Sequence, residues 1–485
     1  MKIAVVGSGY VGLVAGACLA EIGHEVILVD NDEMKYFGLQ NGECPIHEAF
    51  LPQLLARHHT SGSLTFSKDL CGAVRASQAV FIAVGTPSTI NGEADLSYVE
   101  SVAREIATAI NDYKLVIGKS TVPVYTSEWV RRTMLQNGAP PHLFEVASNP
   151  EFLREGTAVR DFLYPDRIVI GCESPRGEKL LRQIYAPLTD GTYYTANTEI
   201  PQPADWAPPP VLIATKPKSA ELIKYACNAF LAMKISFINA VATICESVGA
   251  DVDDVRKGIG SDSRIGVRFL HPGIGYGGSC FPKDLAAYRA VARESGYHFR
   301  LLEEVMAINN EQRDRFLKKV RRALWTLKGK RLAVLGLAFK GGTDDIRESP
   351  TLSIAASLVE AGSRIVVYDP AAMERAAQVL PPEWVEYARD GYEACEGADA
   401  LLVLTEWEEF KALNLERVRS LLRYPIVIDG RNLFEPEHMD ALGFSYYSIG
   451  RPDIVCEDTI ESRIVDRTNL ASQSPHSRQA ERMNV

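Results

Sequence analysis

The chain has 485 residues, 46% of them hydrophobic and 24% charged, which is apolar material for several cores and a length that suggests about three domains. A formal charge of −10 argues against nucleic-acid binding, which needs a basic face, but leaves room for an anionic ligand held by a local cluster of Lys and Arg. Nine scattered cysteines with no Cys-x-x-Cys pair disfavour a zinc ribbon and fit reduced thiols of a cytoplasmic protein better than a disulfide framework.

Lys2–Gly7 (KIAVVG) is a short apolar run ending at glycine and predicts a strand; Val11–Ile22 predicts a helix closed by Gly23, and His24–Asp30 (HEVILVD) a second buried strand. The apolar start Met1–Ala20, with its LVAGAC run, mimics an export signal, but its glycine spacing and the strand that follows favour a strand–turn–helix unit. Further strands are predicted at Ala79–Val84, Leu115–Lys119 and Phe144–Ala147. Continuous apolar strands separated by helices imply a parallel sheet covered on both faces. Ile200–Pro210 (IPQPADWAPPP) is too rich in proline for a helix or an inner strand and reads as a surface loop or linker within 191–217.

Ser219–Gly249 predicts one uninterrupted helix, about 45 Å long, with Ser219 as N-cap and Gly249 as stop. It suits a spine between domains or a dimer interface. No run reaches the roughly 20 uninterrupted apolar residues of a membrane span. The second half then repeats the opening: Lys330–Gly342 (KRLAVLGLAFKGG), Ser363–Asp369, Ala400–Trp407 and Pro425–Asn432 each predict a strand. The expected fold is α/β, with two Rossmann-like doubly wound domains joined by the long central helix and a helical region. The expected divisions are 1–215, 216–318 and 319–465, with 466–485 a polar, disordered tail.

GSGYVG (Gly7–Gly12) matches the dinucleotide fingerprint, in the context that gives the pattern meaning: it follows a strand, opens a helix, and is succeeded by Asp30 at the end of the next strand. Gly7 permits the tight turn, Gly9 lets backbone approach a pyrophosphate, and Gly12 allows close helix–strand packing. Asp30 can accept a ribose 2′-hydroxyl and would repel a 2′-phosphate, so NAD is favoured over NADP. The second half keeps Gly336 but has Phe339 and Lys340 where the close approach would be. Either Lys340 serves the phosphate of a different ligand or it is a solvated surface lysine.

In GYGGSCFPKD (Gly275–Asp284) glycines crowd one side of Cys280, and Lys283 and Asp284 follow it. Small residues leave room for a substrate carbon beside the sulfur, and a nearby cation is expected to lower the thiol pKa. In a dehydrogenase such a cysteine can trap an aldehyde as a thiohemiacetal that loses a second hydride to give a thioester. The plainer alternative is a small buried hydrophobe, the reading preferred for the other eight cysteines. Lys224 and Asn228 lie four apart on the long helix and share a face aimed into a site, unless Lys224 reaches out to solvent. Glu151, in SNPEFLREG, follows a strand end, where ligands of open α/β sheets gather.

Together with VGTPS (Val84–Ser88), KSTVPV (Lys119–Val124), SAELIKYACNAFLAMKISFIN, GLAFKGGTDDIRES and DGRN, these stretches resemble the UDP-glucose 6-dehydrogenase family, within the wider UDP-glucose/GDP-mannose dehydrogenases. The resemblance runs from Met1 to about Ile449. It implies an N-terminal NAD domain, a central helical dimerisation region and a C-terminal UDP-sugar domain. The implied reaction is a four-electron oxidation of UDP-glucose to UDP-glucuronate. By the same resemblance Cys280 is the nucleophile, with Lys224, Asn228 and Asp284 around the reacting C6. Lys224 stabilises the oxyanions, Asp284 with a water and Thr121 assists proton removal, and Glu151 serves thioester hydrolysis. Gly7, Gly9, Tyr10, Val11, Gly12, Asp30, Lys35, Thr86, Thr121, Glu155, Lys283 and Arg347 are the implied NAD contacts. Phe152, Leu153, Lys224, Asn228, Tyr276, Gly277, Lys340 and Arg431 are the implied substrate contacts, and Arg264 matches the arginine that the family lends across a homodimer interface.

Three departures from the family pattern stand out: the long proline-rich insert, Gly341 and Gly342 after the Phe-Lys pair, expected to loosen that loop, and Met233 on the long helix. No metal, membrane or nucleic-acid partner is implied. Rival readings are a dehydrogenase of another nucleotide sugar, such as GDP-mannose or a UDP-N-acetylhexosamine, a two-electron hydroxy-acid dehydrogenase, and a non-catalytic nucleotide-binding protein.

Overall fold

A computed structural model describes residues 1–456, apart from Ser88, Ile90, Asn91, 196–198, Asp205 and Pro208; the expected tail at 466–485 lies outside the described residues. The chain forms two compact units. The first comprises Met1–Met233, Gly278–Glu304 and Gly342–Asp344; the second comprises Lys234–Gly277, Val305–Gly341 and the residues from Asp345 onward.

The first unit is built on eight strands: β1 (Lys2–Val6), β2 (Glu25–Val29), β3 (Leu64–Ser67), β4 (Ala79–Ile82), β5 (Lys114–Gly118), β6 (Phe144–Ser148), β7 (Arg167–Gly171) and β8 (Val211–Thr215). Their order is β3-β2-β1-β4-β5-β6-β7-β8. All pairs are parallel except β6 with β7, which meet antiparallel at Ser148 and Gly171. Alternate residues of β1 feed opposite faces: Ile3 and Val5 join one apolar core, Ala4 and Val6 the other. Burial on both faces is why the strand reads as a continuous apolar run.

β8 corrects the linker reading. Residues 191–217 do contain a proline-rich loop, but the chain leaves it to add an edge strand parallel to β7. Trp206 in the insert is buried, its indole Nε1 donating to the Pro165 carbonyl at 3.1 Å, and its ring packs against Tyr194 at 4.5 Å between centroids.

The second unit carries β9 (Arg331–Leu335), β10 (Arg364–Tyr368), β11 (Val385–Tyr387), β12 (Ala400–Val403), β13 (Ile426–Asp429) and β14 (Ser445–Tyr447), in the order β11-β10-β9-β12-β13-β14. All its pairs are parallel. The α/β architecture of two doubly wound sheets therefore stands.

Four helices position functional residues: α1 (Tyr10–Glu21), α2 (Pro217–Val248), α3 (Phe281–Glu294) and α4 (Arg300–Leu324). α1 is buried from Gly12 to Ala20, which explains its lack of a polar face. α2 is the expected long helix, but it begins at Pro217, so Ser219 is not its N-cap; Gly249, at φ +76°, ends it as expected. By length and apolarity alone α2 could cross a membrane. Its first part, however, buries Glu221, Lys224 and Asn228, which all have polar partners in the first unit.

Candidate active site

The first βα turn meets the steric demands of a dinucleotide loop. Gly7 sits at φ +103°, and a Cβ there would stand 2.7 Å from the Ala83 carbonyl oxygen. A Cβ on Gly12 would fall 1.8 Å from the Gly7 carbonyl oxygen, whereas a Cβ on Gly9 would meet nothing within 4 Å. The two outer glycines are thus required by the protein itself, and Gly9 leaves open space at the N-terminus of α1, where unpaired N–H groups favour phosphate. Asp30 closes the loop from the side: its Oδ2 accepts from the Ser8 N–H at 2.7 Å and the Ser8 hydroxyl at 2.6 Å, and its Oδ1 from the Asp32 N–H at 3.0 Å. Burial works against this carboxylate, but those bonds and nearby Lys35 together hold its pKa below the usual range. Lys35 itself is loosely paired with Asp32 at 3.9 Å. These features fit a bound NAD.

Tyr10, first residue of α1, donates its hydroxyl to buried Glu48, and the Gly156 N–H lies 2.8 Å from both the Tyr10 oxygen and Glu48 Oε2. This ties the dinucleotide loop to the loop that carries Glu151 and Glu155. Nothing local in HEAFL marks Glu48 in the sequence.

The charged cluster lies at the carboxyl ends of β5 and β6 and on the buried face of α2. Lys224 Nζ pairs with Glu151 Oε1 at 2.7 Å, both side chains almost fully buried. The solvent-reaching alternative for Lys224 is therefore excluded. Glu151 Oε2 accepts from the Leu153 N–H at 2.6 Å, and Thr121 donates to Oε1 at 3.5 Å. Burial opposes ionisation of each partner, but the opposite charge outweighs it: Glu151 is held below the ordinary carboxylate pKa and Lys224 above the ordinary lysine value. The Phe152 ring lies beneath the Lys224 ammonium at 5.5 Å and the Arg167 guanidinium at 3.9 Å. Thr86 donates to the Thr121 carbonyl at 2.8 Å.

A second buried cation stands close by. Lys119 Nζ donates to Asn149 Oδ1 at 3.1 Å, an oxygen that also accepts from Tyr185 at 2.5 Å. Burial lowers the Lys119 pKa to about 8, against the pull of Glu151 and with the push of Lys224. Lys119 and Asn149 open the KSTVPV motif and sit within SNPEFLREG respectively, but their pairing across 30 residues leaves no local pattern.

Cys280 is the N-cap of α3, its carbonyl accepting from the Asp284 N–H at 2.9 Å. One turn on, buried Asp284 accepts from Asn228 Nδ2 at 2.6 Å and from Lys283 Nζ at 2.8 Å. The structure thus places Cys280, Asp284, Lys224, Asn228, Glu151 and Thr121 in one unit and joins them in pairs. The expectation of a depressed thiol pKa is not met. Burial, reinforced by Glu151, pushes Cys280 up to about 11; Lys224 pulls the other way, and Asp284 and Glu155 add to the rise. The physical reason is burial among three carboxylates, which outweighs the pull of Lys224, while Lys283, the cation near it in sequence, is paired with Asp284.

Arg264, Tyr276, Gly277, Lys340, Arg347 and Arg431 belong to the second unit. Tyr276 is fixed at its backbone by Asn309, whose Oδ1 accepts from the Tyr276 N–H at 2.8 Å. Gly277 has no room for a side chain, its Cβ position lying 2.2 Å from the Glu348 carbonyl oxygen. Arg431 donates to the carbonyls of Leu404 and Phe339, each at 2.9 Å, so it braces the loop that carries Lys340. Arg347 is paired with Asp345 at 2.7 Å, and exposed Arg264 with Asp262 at 2.5 Å. Gly341 does not loosen its loop as expected: a Cβ there would lie 2.3 Å from the Glu406 carbonyl oxygen, so the backbones pack too closely for any other residue.

Residues 1–189 match the NAD binding domain of the UDP-glucose/GDP-mannose dehydrogenase family, 218–311 its central domain and 333–436 its UDP binding domain. The UDP-glucose 6-dehydrogenase TuaD of Bacillus subtilis (strain 168) is 46% identical over 453 residues, 93% of this chain and 94% of that one. A UDP-glucose 6-dehydrogenase of Rhizobium meliloti (strain 1021) is 47% identical over 457 residues, 93% of this chain and all of that one. Among solved structures, a UDP-glucose dehydrogenase from the archaeon Pyrobaculum islandicum superposes with a TM-score of 0.82 at 36% identity, covering 93% of this chain and 98% of the other. With its glycine loop after β1 and its buried pair of Lys224 on α2 and Glu151 past β6, the chain belongs to the UDP-glucose/GDP-mannose dehydrogenase family.

Proposed function

We propose that this protein oxidises UDP-glucose to UDP-glucuronate by two successive NAD-dependent steps through a thioester on Cys280. The observation that carries the reading is the placing of Cys280 at the start of α3, with Asp284 one turn on and bonded to Asn228 of α2. Relatives named for UDP-glucose oxidation, similar over almost the whole chain, support the choice of sugar. We propose a domain division at 1–215, 216–318 and 319–465.

Bound NAD supplies the acceptor for the hydride that C6 loses in each oxidation, a fresh cofactor serving the second. Asp284, through a water and helped by Thr121, takes the hydroxyl proton as the alcohol becomes an aldehyde. Lys224 and Asn228, on one face of α2, hold the oxygen that carries the developing negative charge. The Cys280 sulfur bonds to the aldehyde carbon and keeps the sugar in place while cofactors exchange. Glu151, kept ionised beside Lys224, activates the water that cleaves the thioester. Asp30 and Lys35 hold the adenosine ribose, with Tyr10, Val11, Thr86, Glu155, Lys283 and Arg347 on other parts of NAD. Phe152, Leu153, Tyr276, Gly277, Lys340 and Arg431 line the sugar nucleotide.

The protein acts in the cytoplasm as a homodimer. Phe230, Phe237 and Ile244 recur every seven residues on α2 and are 58%, 53% and 60% exposed, an apolar stripe that a second copy would cover. Arg264 would cross that interface. Phe237→Glu, examined by analytical ultracentrifugation, should give monomers; an intact dimer would remove the assignment.

The decisive test is product analysis of Cys280→Ala across a panel of sugar nucleotides. Wild type should yield two NADH per UDP-glucose and turn over other sugar nucleotides more slowly. The variant should bind UDP-glucose and form no acid; acid formation at the wild-type rate would refute the thioester.

A further inference from the structure

Cys280 has a problem that its known neighbours do not solve. With its pKa pushed up to about 11 by burial, the sulfur holds its proton at neutral pH. Addition to a carbonyl carbon therefore needs a proton acceptor beside the sulfur. The carboxylates around Cys280 are Glu151, Asp284 and Glu155, and the opposing cation is Lys224. Both oxygens of Asp284 accept from Lys283 and Asn228, and both oxygens of Glu151 from Lys224 and the Leu153 N–H.

Ser279 links the sulfur to the third of these carboxylates. Its hydroxyl oxygen lies 3.7 Å from Cys280 Sγ and donates to Glu155 Oε1 at 3.0 Å. A hydroxyl has one hydrogen. With that hydrogen on Glu155, the serine oxygen can only accept from the thiol, so the chain has a direction: thiol to serine to carboxylate. Gly278, at φ +81°, makes the turn that sets Ser279 there, a conformation open to glycine at little cost. Glu155 is buried and is also reached by the Thr343 hydroxyl at 3.4 Å, which fixes its far oxygen.

We propose that Ser279 is a catalytic residue that passes the Cys280 proton to Glu155 as the sulfur adds to the aldehyde, an inference that rests on the thioester reading above. In this step the thiol proton moves to the serine oxygen while the serine's own proton moves to Glu155 Oε1. The sulfur lone pair forms the C–S bond, and the carbonyl π pair moves to oxygen, where Lys224 and Asn228 receive it. Nothing is oxidised or reduced. When water later cleaves the thioester, the same relay run backwards returns the proton from Glu155 to sulfur.

The test is Ser279→Ala, with Ser279→Thr restoring the hydroxyl. One readout is the pH profile of Cys280 alkylation by iodoacetamide in the enzyme without cofactor, followed by peptide mass spectrometry. The alanine variant should be alkylated about tenfold more slowly near pH 7.5, converging with wild type above pH 11, and the threonine variant should recover. In single turnovers, acid formation should slow by about tenfold or more, with release of the first hydride unchanged. Glu155→Gln, tested by alkylation alone, should match the alanine variant and keeps the proposal open to refutation should Ser279→Ala fail to fold. An alkylation profile in either variant that matches wild type overturns the relay. Acid made by Cys280→Ala would instead overturn the thioester on which it rests.

Discussion

The two sheets end in the same kind of turn and use it in opposite ways. After β1 the chain turns at Gly7 and enters α1 at once, so the helix N-terminus and the open space at Gly9 stand together. After β9 it turns at Gly336, at φ +100° and with Thr405 Cβ 2.3 Å from where its own Cβ would be, but the next helix begins only at Pro350. The acid at the end of the second strand follows the same split. Asp30 is half-buried, and its carboxylate accepts from Ser8 and Asp32. Asp369 is 1% exposed and accepts from the N–H groups of Leu337, Ala338, Ala371 and Ala372 and from Trp407 Nε1. One turn is built to receive a ligand, and the other is stitched shut by its own backbone. A shared strand–glycine–strand pattern therefore carries function only where the carboxylate and the helix end stay open.

Two buried carboxylates, one from each unit, make a second comparison. In the first unit a carboxylate is balanced by a lysine, Glu151 by Lys224; in the second, Asp429 is balanced by the N–H groups of Arg431, Leu433 and Phe434 and by the Tyr446 hydroxyl. The largest effect should come from breaking the ion pair. Lys224→Met leaves Glu151 buried with its partner gone and should cost about 3–5 kcal/mol in urea unfolding at neutral pH. The loss should shrink in acid. Glu151 has a folded pKa below its unfolded value, so its contribution is present above about pH 4.3 and disappears as pH falls through the folded value. A loss that stayed constant with pH would mean that packing, not charge, is at stake.

Next in size is the comparison of the two strand-end acids. Asp369→Ala should lower stability by about 2–3 kcal/mol, because several buried N–H groups lose their acceptor, and should leave the KM for NAD unchanged. Asp30→Ala should do the reverse, raising that KM by about tenfold or more with a smaller stability loss. If both variants behaved alike, the distinction between an open and a sealed turn would fail.

What is legible in the sequence depends on the range of the interaction. Gly7 is called for by its own positive φ and Gly12 by the Gly7 carbonyl five residues back, so the GSGYVG spacing is enough to assign their roles, although the Ala83 backbone that also crowds Gly7 comes from a distant strand end. The strands buried on both faces are readable for the same reason. The short strands β11 and β14 have three residues each and no pattern of their own. β8 hides behind prolines that suggest only a loop. The echo of HEVILVD in SRIVVYD is plain, but whether the terminal Asp is open depends on the loop after Gly336, whose path no local rule predicts. Ser279 and Glu155 are 124 residues apart, so their pairing is a property of the fold alone. The pKa of Cys280 is misjudged from the sequence because the burial that raises it is a property of the fold, and because Lys283, adjacent in sequence, is paired with Asp284.

The smallest effect tests Lys119, a buried lysine just past β5 in the ligand-receiving sheet. Burial lowers its pKa to about 8, while in the unfolded chain a lysine titrates near 10.4. Between those values the unfolded chain holds a proton that the folded chain has released. Stability should therefore rise with pH across that window, since the unfolded state binds more protons. Lys119→Met removes the titrating group and should flatten the rise, measured as the urea midpoint at pH 7.5, 8.5 and 9.5. It should also ease the charge around Glu151, because one of the two lysines that favour its ionised form is gone. The acid limb of product formation would then shift to higher pH. A variant with the wild-type slope in stability would show that Lys119 stays protonated through this range, and that Asn149 and Tyr185 hold it for packing rather than for its charge.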